Sequence, residues 1–223
     1  MIPASRGFFR LLLLFVVALP GVVATLPDNS FAWELAKDDE GVKVYTREIR
    51  GSAFKEYRAV MKIRASLSSL VALVDDIAQC HTLIETCREG KLLKRINPKV
   101  SYTYTINSAP WPVSNRDAVV RNTISQDPQS RVVTISIRGV PDYVPEKVGL
   151  VRVKKIKGYW RFAPLKNGVV EVLYQVHSEP GGNIPSWLVN SIVISKPFNT
   201  LRNMRKVVRQ PKYQKAKYDF ISE

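Results

Sequence analysis

The order of apolar and polar positions divides the chain into a β-rich body with helical segments at its two ends. Val42, Val44 and Thr46 alternate with Lys43, Tyr45 and Arg47, the two-residue period of a strand with one covered face. A second strand is predicted over residues 54–63. Ser66 has the character of an N-cap, and Leu67, Leu70, Val71 and Val74 follow it at helical spacing. Residues 77–87 read as short, irregular and partly helical. Strand patterning then returns over 91–96, 100–108, 117–125, 132–138, 151–162 and 169–177. Asn97-Pro98, Asp127-Pro128, Pro141-Asp142 and Lys166-Asn167-Gly168 punctuate these runs, which predicts an antiparallel sheet.

The first end carries Phe31 and Leu35 at i and i+4, and a short amphipathic helix is predicted over 30–37, with a turn at Asp38-Asp-Glu-Gly41. At the other end, Glu179-Pro-Gly-Gly-Asn-Ile-Pro185 reads as a loop, and Pro185 suits the first turn of a helix over 186–208. Trp187, Ile194, Phe198, Leu201 and Val208 fall near one face of it. Pro197 lies inside that helix and has no N–H for the carbonyl of Val193, so a kink is predicted there. Beyond Gln210-Pro211 the chain reads as a polar, basic and loose tail from about 211. The sum is an α+β plan: a curved antiparallel sheet gripping a long C-terminal helix.

Charge and targeting narrow the class of partner. The chain has 223 residues and a formal net charge of +15, which favours anionic partners such as lipid headgroups, nucleic acid or acidic proteins. Lys154, Lys155 and Lys157 form one basic run, and Arg202, Arg205, Lys206, Arg209, Lys212, Lys215 and Lys217 another. Residues 1–24 read as a signal peptide: Arg6 and Arg10, an apolar run from Leu11 to Leu19, then Pro20-Gly21 and the small residues Val22 and Ala24. The run is too short to span a bilayer; an uncleaved anchor is the alternative. One mature domain over 25–223 is expected, monomeric and exported to the periplasm or beyond. Export argues against nucleic acid and leaves two readings of the basic face, docking on an anionic membrane surface or a plain solvated face.

Cys80 and Cys87 are the two cysteines. On one straight helix they would stand about 10 Å apart, beyond disulfide reach, so a bond requires a break between them. A disulfide and two buried free thiols both remain open. No metal site is expected, because two cysteines do not make a tetrahedral set. Catalytic signals are weak. His81 and His177 lie in no metal motif, and there is no nucleophile elbow, phosphate loop or dinucleotide fingerprint. His177, Ser178 and Glu179 are adjacent on a strand and should diverge. No catalytic residue and no cofactor are expected.

Five fragments in order carry a resemblance. Trp33 precedes Gly41-Val-Lys-Val-Tyr45. Ala109-Pro-Trp-Pro-Val-Ser-Asn-Arg-Asp117 follows, then Val151-Arg152 before Gly158-Tyr-Trp160, then Pro180-Gly-Gly-Asn-Ile-Pro-Ser-Trp-Leu-Val-Asn190 and Thr200-Leu-Arg202. Together they resemble START domains, the lipid-transfer family named for steroidogenic acute regulatory protein, in a bacterial-type exported single-domain form. The resemblance implies a helix-grip fold with an internal hydrophobic cavity between sheet and last helix. It implies a protein that binds one lipid and carries it between membranes, with an enzyme of hydrolase or cyclase type on the same fold as the alternative. Candidate cavity residues are Tyr104, Asn122, Arg138 and Tyr174 on strands and Trp187, Val193, Ile194, Phe198 and Leu201 on the helix. Asn122 stands where some family members place a cavity-facing Arg. That departure counts against an anionic head held by such an Arg, so a neutral sterol or diacylglycerol fits at least as well as a phospholipid; Arg138 is the alternative source of charge.

Overall fold

The computed structural model describes residues 32–182, 184 and 186–223, with the side chains of 186, 187 and 189–191 excepted. The predicted leader over 1–24 lies outside the described residues. β1 (Glu34–Asp39), β2 (Val42–Arg47) and β3 (Glu56–Arg64) form an antiparallel meander. The helix predicted over 30–37 is therefore corrected: from Glu34 onward the chain is a strand. Glu40 and Gly41 have φ of 46° and 70°, the two consecutive positive values that a two-residue hairpin turn requires. Pairing with β2 overrides the local helical spacing, and Leu35 is 54% exposed rather than a core residue.

α1 (Leu67–Asp75) starts at Ser66, whose hydroxyl accepts from the Ser69 amide at 3.1 Å. A 3-10 turn (Ile77–Gln79) and α2 (Cys80–Leu83) follow. The helix then stops, the chain reverses, and the Cα atoms of Cys80 and Cys87 come within 5.9 Å as a disulfide. The required break is thus present.

Seven more strands complete one sheet: β4 (Cys87–Asn97), β5 (Val100–Asn107), β6 (Arg116–Gln126), β7 (Val133–Gly139), β8 (Val151–Arg152), β9 (Lys155–Pro164) and β10 (Val169–Glu179). The spatial order is β1-β2-β3-β10-β9-β7-β6-β5-β4, antiparallel throughout, with the short β8 alone parallel, on β6. Glycines mark where neighbouring strands crowd on the concave face. A Cβ at Gly158 would stand 2.3 Å from the Gln175 carbonyl oxygen, and one at Gly139 2.9 Å from Ile156 Cγ2.

α3 (Ser186–Val207) crosses the concave face, with Pro197 inside it, and α4 (Pro211–Gln214) follows. Phe198, Leu201, Met204 and Val208 are buried in one core with Val42, Val44 and Met61. Beyond α3 the expectation of a loose tail fails. Tyr213 and Ile221 are buried, and the Tyr213 hydroxyl donates to Asp76 at 3.0 Å. The Glu223 carboxylate accepts from the Leu67 and Ser68 amides at 2.7 and 3.0 Å, closing the start of α1. Lysines at 212, 215 and 217 give the tail its polar look, while Tyr213, Tyr218, Phe220 and Ile221 anchor it.

The convex face is covered too, where residues 140–150 fold back over β5 and β6. Tyr102 stacks on Tyr143 at 4.3 Å, and Lys147 Nζ sits 4.6 Å from the centre of the Tyr104 ring. Beneath lies a fully buried ion pair. Arg152 Nε and Nη2 donate to Asp117 at 3.0 and 2.9 Å, and its other N–H groups reach the carbonyls of Pro141, Val144 and Pro145.

Candidate ligand-binding cavity

Alternation along the strands decides what faces inward. On β6 the inward residues are Arg116, Ala118, Val120, Asn122 and Ile124; on β5 they are Thr103, Thr105 and Asn107. With α1, α2 and α3 as the other walls they enclose a cavity of about 400 Å³, within the range of ligand sites.

One end is apolar and aromatic. Ile124, Ile135, Trp160 and Tyr174 line it. Trp160 stacks on Tyr174 at 3.8 Å, Tyr57 meets Tyr174 edge-on at 5.6 Å, and the Tyr57 hydroxyl donates to that of Tyr174 at 3.2 Å. Burial holds both phenols above the ordinary tyrosine pKa, Tyr57 well above, so both are neutral donors and acceptors near neutral pH.

Polarity rises toward the other end. Asn122 Nδ2 donates to Thr103 Oγ1 at 3.0 Å. Farther along, Thr86 Oγ1 donates to Asn107 Oδ1 and Asn107 Nδ2 to Thr105 Oγ1, both at 3.3 Å. Arg116 pairs in register with Asn107, and its Nη2 donates to the Gly181 carbonyl at 3.0 Å while Nη1 donates to that of Ser114. Gly181 and Gly182, at φ of 67° and 65°, form the left-handed bend between β10 and α3. From α3, Lys196 also lines the cavity, half-buried, and burial lowers its pKa to about 8.

The predicted site residues divide accordingly. Asn122, Tyr174 and Val193 line the cavity. Tyr104 does not: it is one residue out of step with Thr103 and Thr105 and faces the convex side, where burial and then the Asp117 carboxylate raise its pKa to about 12. Arg138 is exposed on the outer face, opposite in parity to the inward Ile135 and Ile137, and brings no charge to the cavity. Phe198 and Leu201 are buried in the core beneath the helix, and Ile194 packs partly buried against it. The side chain of Trp187 lies outside the described residues. Ser178 faces the cavity and His177 does not, so the adjacent polar residues on β10 diverge as expected. Thr103, Thr105, Asn107, Trp160, Arg116 and Lys196 were not among the candidates. The alternation of β5 carries the signal for the first three.

The PWP segment forms the β5–β6 loop. Trp111 precedes a cis proline and is 91% exposed, and the Ala109 amide donates to Asn115 Oδ1 at 3.1 Å across its base. Arg116 and Asp117 then open β6 with opposite facings, Arg116 to the cavity and Asp117 to Arg152. The START domain family model matches residues 28–214.

The chain belongs to the START domain family.

Its relatives include an uncharacterized protein of Pseudomonas aeruginosa, 40% identical over 202 residues, spanning 90% of this chain and 96% of that one. Bovine phosphatidylcholine transfer protein is 28% identical over 187 residues, spanning 81% and 86%. Among solved structures, the STAR-related lipid transfer protein of Xanthomonas axonopodis superposes with a TM-score of 0.74 at 40% identity, covering 80% of this chain and 99% of that one. Human StAR-related lipid transfer protein 5 shares the fold alone, with a TM-score of 0.68 at 19% identity, covering 80% and 86%. The curved sheet closed by a C-terminal helix is thus the helix-grip architecture of START domains. Among the described residues no cluster of His, Cys, Asp or Glu is arranged to hold a metal.

Proposed function

We propose that this START domain is exported, binds a single lipid in its cavity and carries it between membranes as a monomer. The observation that carries the reading is the cavity of about 400 Å³, apolar and aromatic at one end and polar at the other, enclosed between the sheet and α3. That gradient matches a molecule with a hydrocarbon body and a polar head, and burial of the body supplies roughly 25 cal/mol per Å² before costs. The names of the relatives, a phosphatidylcholine transfer protein and a STAR-related lipid transfer protein, support it. The leader-like residues 1–24 and the Cys80–Cys87 disulfide support an oxidising destination. The charge of +15 and the exposed Trp111 support docking on an anionic membrane surface.

Native mass spectrometry of the protein purified from its exported compartment tests binding, and one lipid per chain is expected. A protein that is empty, and that takes up no sterol, diacylglycerol or phospholipid when offered, would reject the carrier reading in favour of an enzyme on the same fold. Transfer between anionic vesicles is expected to slow as salt rises, and salt-insensitive transfer would remove the docking step.

A further inference from the structure

Among the described residues, two cations line the cavity without a counter-anion. The lining carboxylates among the described residues are Asp75 and Asp76, and both are already engaged: Asp75 with Arg95 at 2.8 Å, Asp76 with Lys212 at 2.8 Å and with the Tyr213 hydroxyl. A third lining cation, Lys55, has Glu34 at 3.7 Å. Arg116 is 8% exposed; among the described residues it bonds only to the backbone carbonyls of Ser114 and Gly181, and its buried Nε has no acceptor. Lys196 meets no hydrogen-bond or ion-pair partner among the described residues, and the burial that depresses its pKa is the cost of holding that charge alone. Uncompensated charge in a low-dielectric site is unfavourable until an opposite charge arrives.

Both cations belong to the polar part of the cavity. Asn107 sits opposite Arg116 in the β5–β6 register and bonds to Thr86. Asn199, one turn beyond Lys196 on α3, donates to Glu85, the neighbour of Thr86. The hydroxyls and amide of Thr86, Thr105 and Asn107 are therefore grouped with the two charges, while Ile124 lies toward the far end of β6, paired with Ile135 of β7, which pairs in turn with Trp160 of β9.

We infer that the cavity takes a lipid with an anionic head, a phosphate or a carboxylate, received by Arg116 and Lys196 with its hydrocarbon directed toward Trp160 and Tyr174. This rests on the carrier reading above and names its ligand class. It also revises the expectation drawn from Asn122. The strand position that is neutral here is replaced as a charge source by the first residue of β6 and by Lys196 of α3, so a neutral sterol or diacylglycerol leaves both cations unanswered.

The test offers the delipidated protein vesicles of phosphatidylcholine containing equal amounts of phosphatidylglycerol and diacylglycerol, and reads the bound species by native mass spectrometry. Both lipids share one vesicle, so surface docking is common to them. The protein is expected to retain phosphatidylglycerol over diacylglycerol by tenfold or more, the order of effect of one charge-assisted hydrogen bond, roughly 1.5–3 kcal/mol. Lys196→Met is expected to cut that preference about tenfold, and Lys196→Arg, which keeps the charge, to restore it. Equal retention of the two lipids, or an unchanged preference in Lys196→Met, would overturn the inference while leaving lipid binding intact. Displacement of the bound lipid by excess inorganic phosphate would assign the cations to a free anion and overturn it as well. Retention of no lipid at all would instead remove the carrier reading on which it rests.

Discussion

An Asp117→Asn substitution measures how the convex face is held together. The Arg152 side chain is 1% exposed, and every N–H it offers is used, two on Asp117 and the rest on the carbonyls of Pro141, Val144 and Pro145. Asparagine keeps the shape of Asp117 but removes the charge and turns an amide N–H₂ toward a guanidinium donor. The guanidinium cannot shed its proton, so it remains buried and uncompensated, at a cost of about 3–5 kcal/mol. For a domain of this size that is a fall in Tm of roughly 10 °C. Arg152→Met leaves Asp117 buried alone and frees three carbonyls, with a comparable loss. The double variant removes both charges and is expected to be more stable than the two losses summed by about 2 kcal/mol or more. Urea denaturation of the four proteins gives the coupling directly. Additivity within about 0.5 kcal/mol would refute the reasoning. So would an Asp117→Asn protein whose midpoint barely moves. Because the pair faces away from the cavity, lipid bound per folded chain is expected to stay the same in all four.

Three further outcomes follow from the geometry. Gly90→Ala places a Cβ 1.9 Å from the Ile77 carbonyl oxygen and 2.9 Å from Cys80 Sγ, so the 3-10 turn is expected to lift off β4, with a loss above 2 kcal/mol by thermal unfolding as for other overpacked sites; a near-neutral variant would contradict this packing. Reducing the Cys80–Cys87 bond, with a sequence separation of 7, removes a short loop closure and is expected to lower stability by about 2.5 kcal/mol, measured on alkylated against intact protein. Lys196 has a pKa lowered from 10.5 to about 8 in the empty protein, so above about pH 8 the unfolded chain binds the extra proton. Its penalty is complete below pH 8 and disappears as pH rises toward 10.5. The stability gain of lipid-free Lys196→Met over the parent should therefore shrink across that window, and a constant gain would show that Lys196 is not desolvated.

Much of this fold is legible in the alternation of the strands and the long final helix, because both are set by a repeating burial pattern. The N-terminal strand is not. Phe31 and Leu35 satisfy a helical spacing over 30–37, and the deciding information is Glu40-Gly41, whose backbone bends the chain into a hairpin on β2. The tail misleads for a related reason: its lysines are frequent, but Tyr213 and Ile221 find pockets that only the folded α1 and β6 region supplies. In the cavity, Asn122, Tyr174 and Val193 follow from facing, whereas Tyr104 fails because both faces of β5 are covered. Aromatic residues usually mark the inward side, and here loop 140–150 buries Tyr102 and Tyr104 on the outward one. Lys196 is invisible as a site residue in one dimension, since a lone lysine on an amphipathic helix reads as solvated until the opposite wall is known.

The seam between β3 and β10 has a consequence for timing. Arg64 pairs with Val169, so the first three strands wait for a partner made about a hundred residues later. Such a distant pairing is slow to form and contributes nothing until the intervening chain is present. While synthesis proceeds, the N-terminal meander has only its own hairpins for support. The chamber acquires its aromatic end only when Trp160 and Tyr174 arrive, and its remaining wall only when α3 closes over the sheet. A complete chamber therefore exists only once the whole chain has folded, and no shorter stretch of it can enclose a ligand.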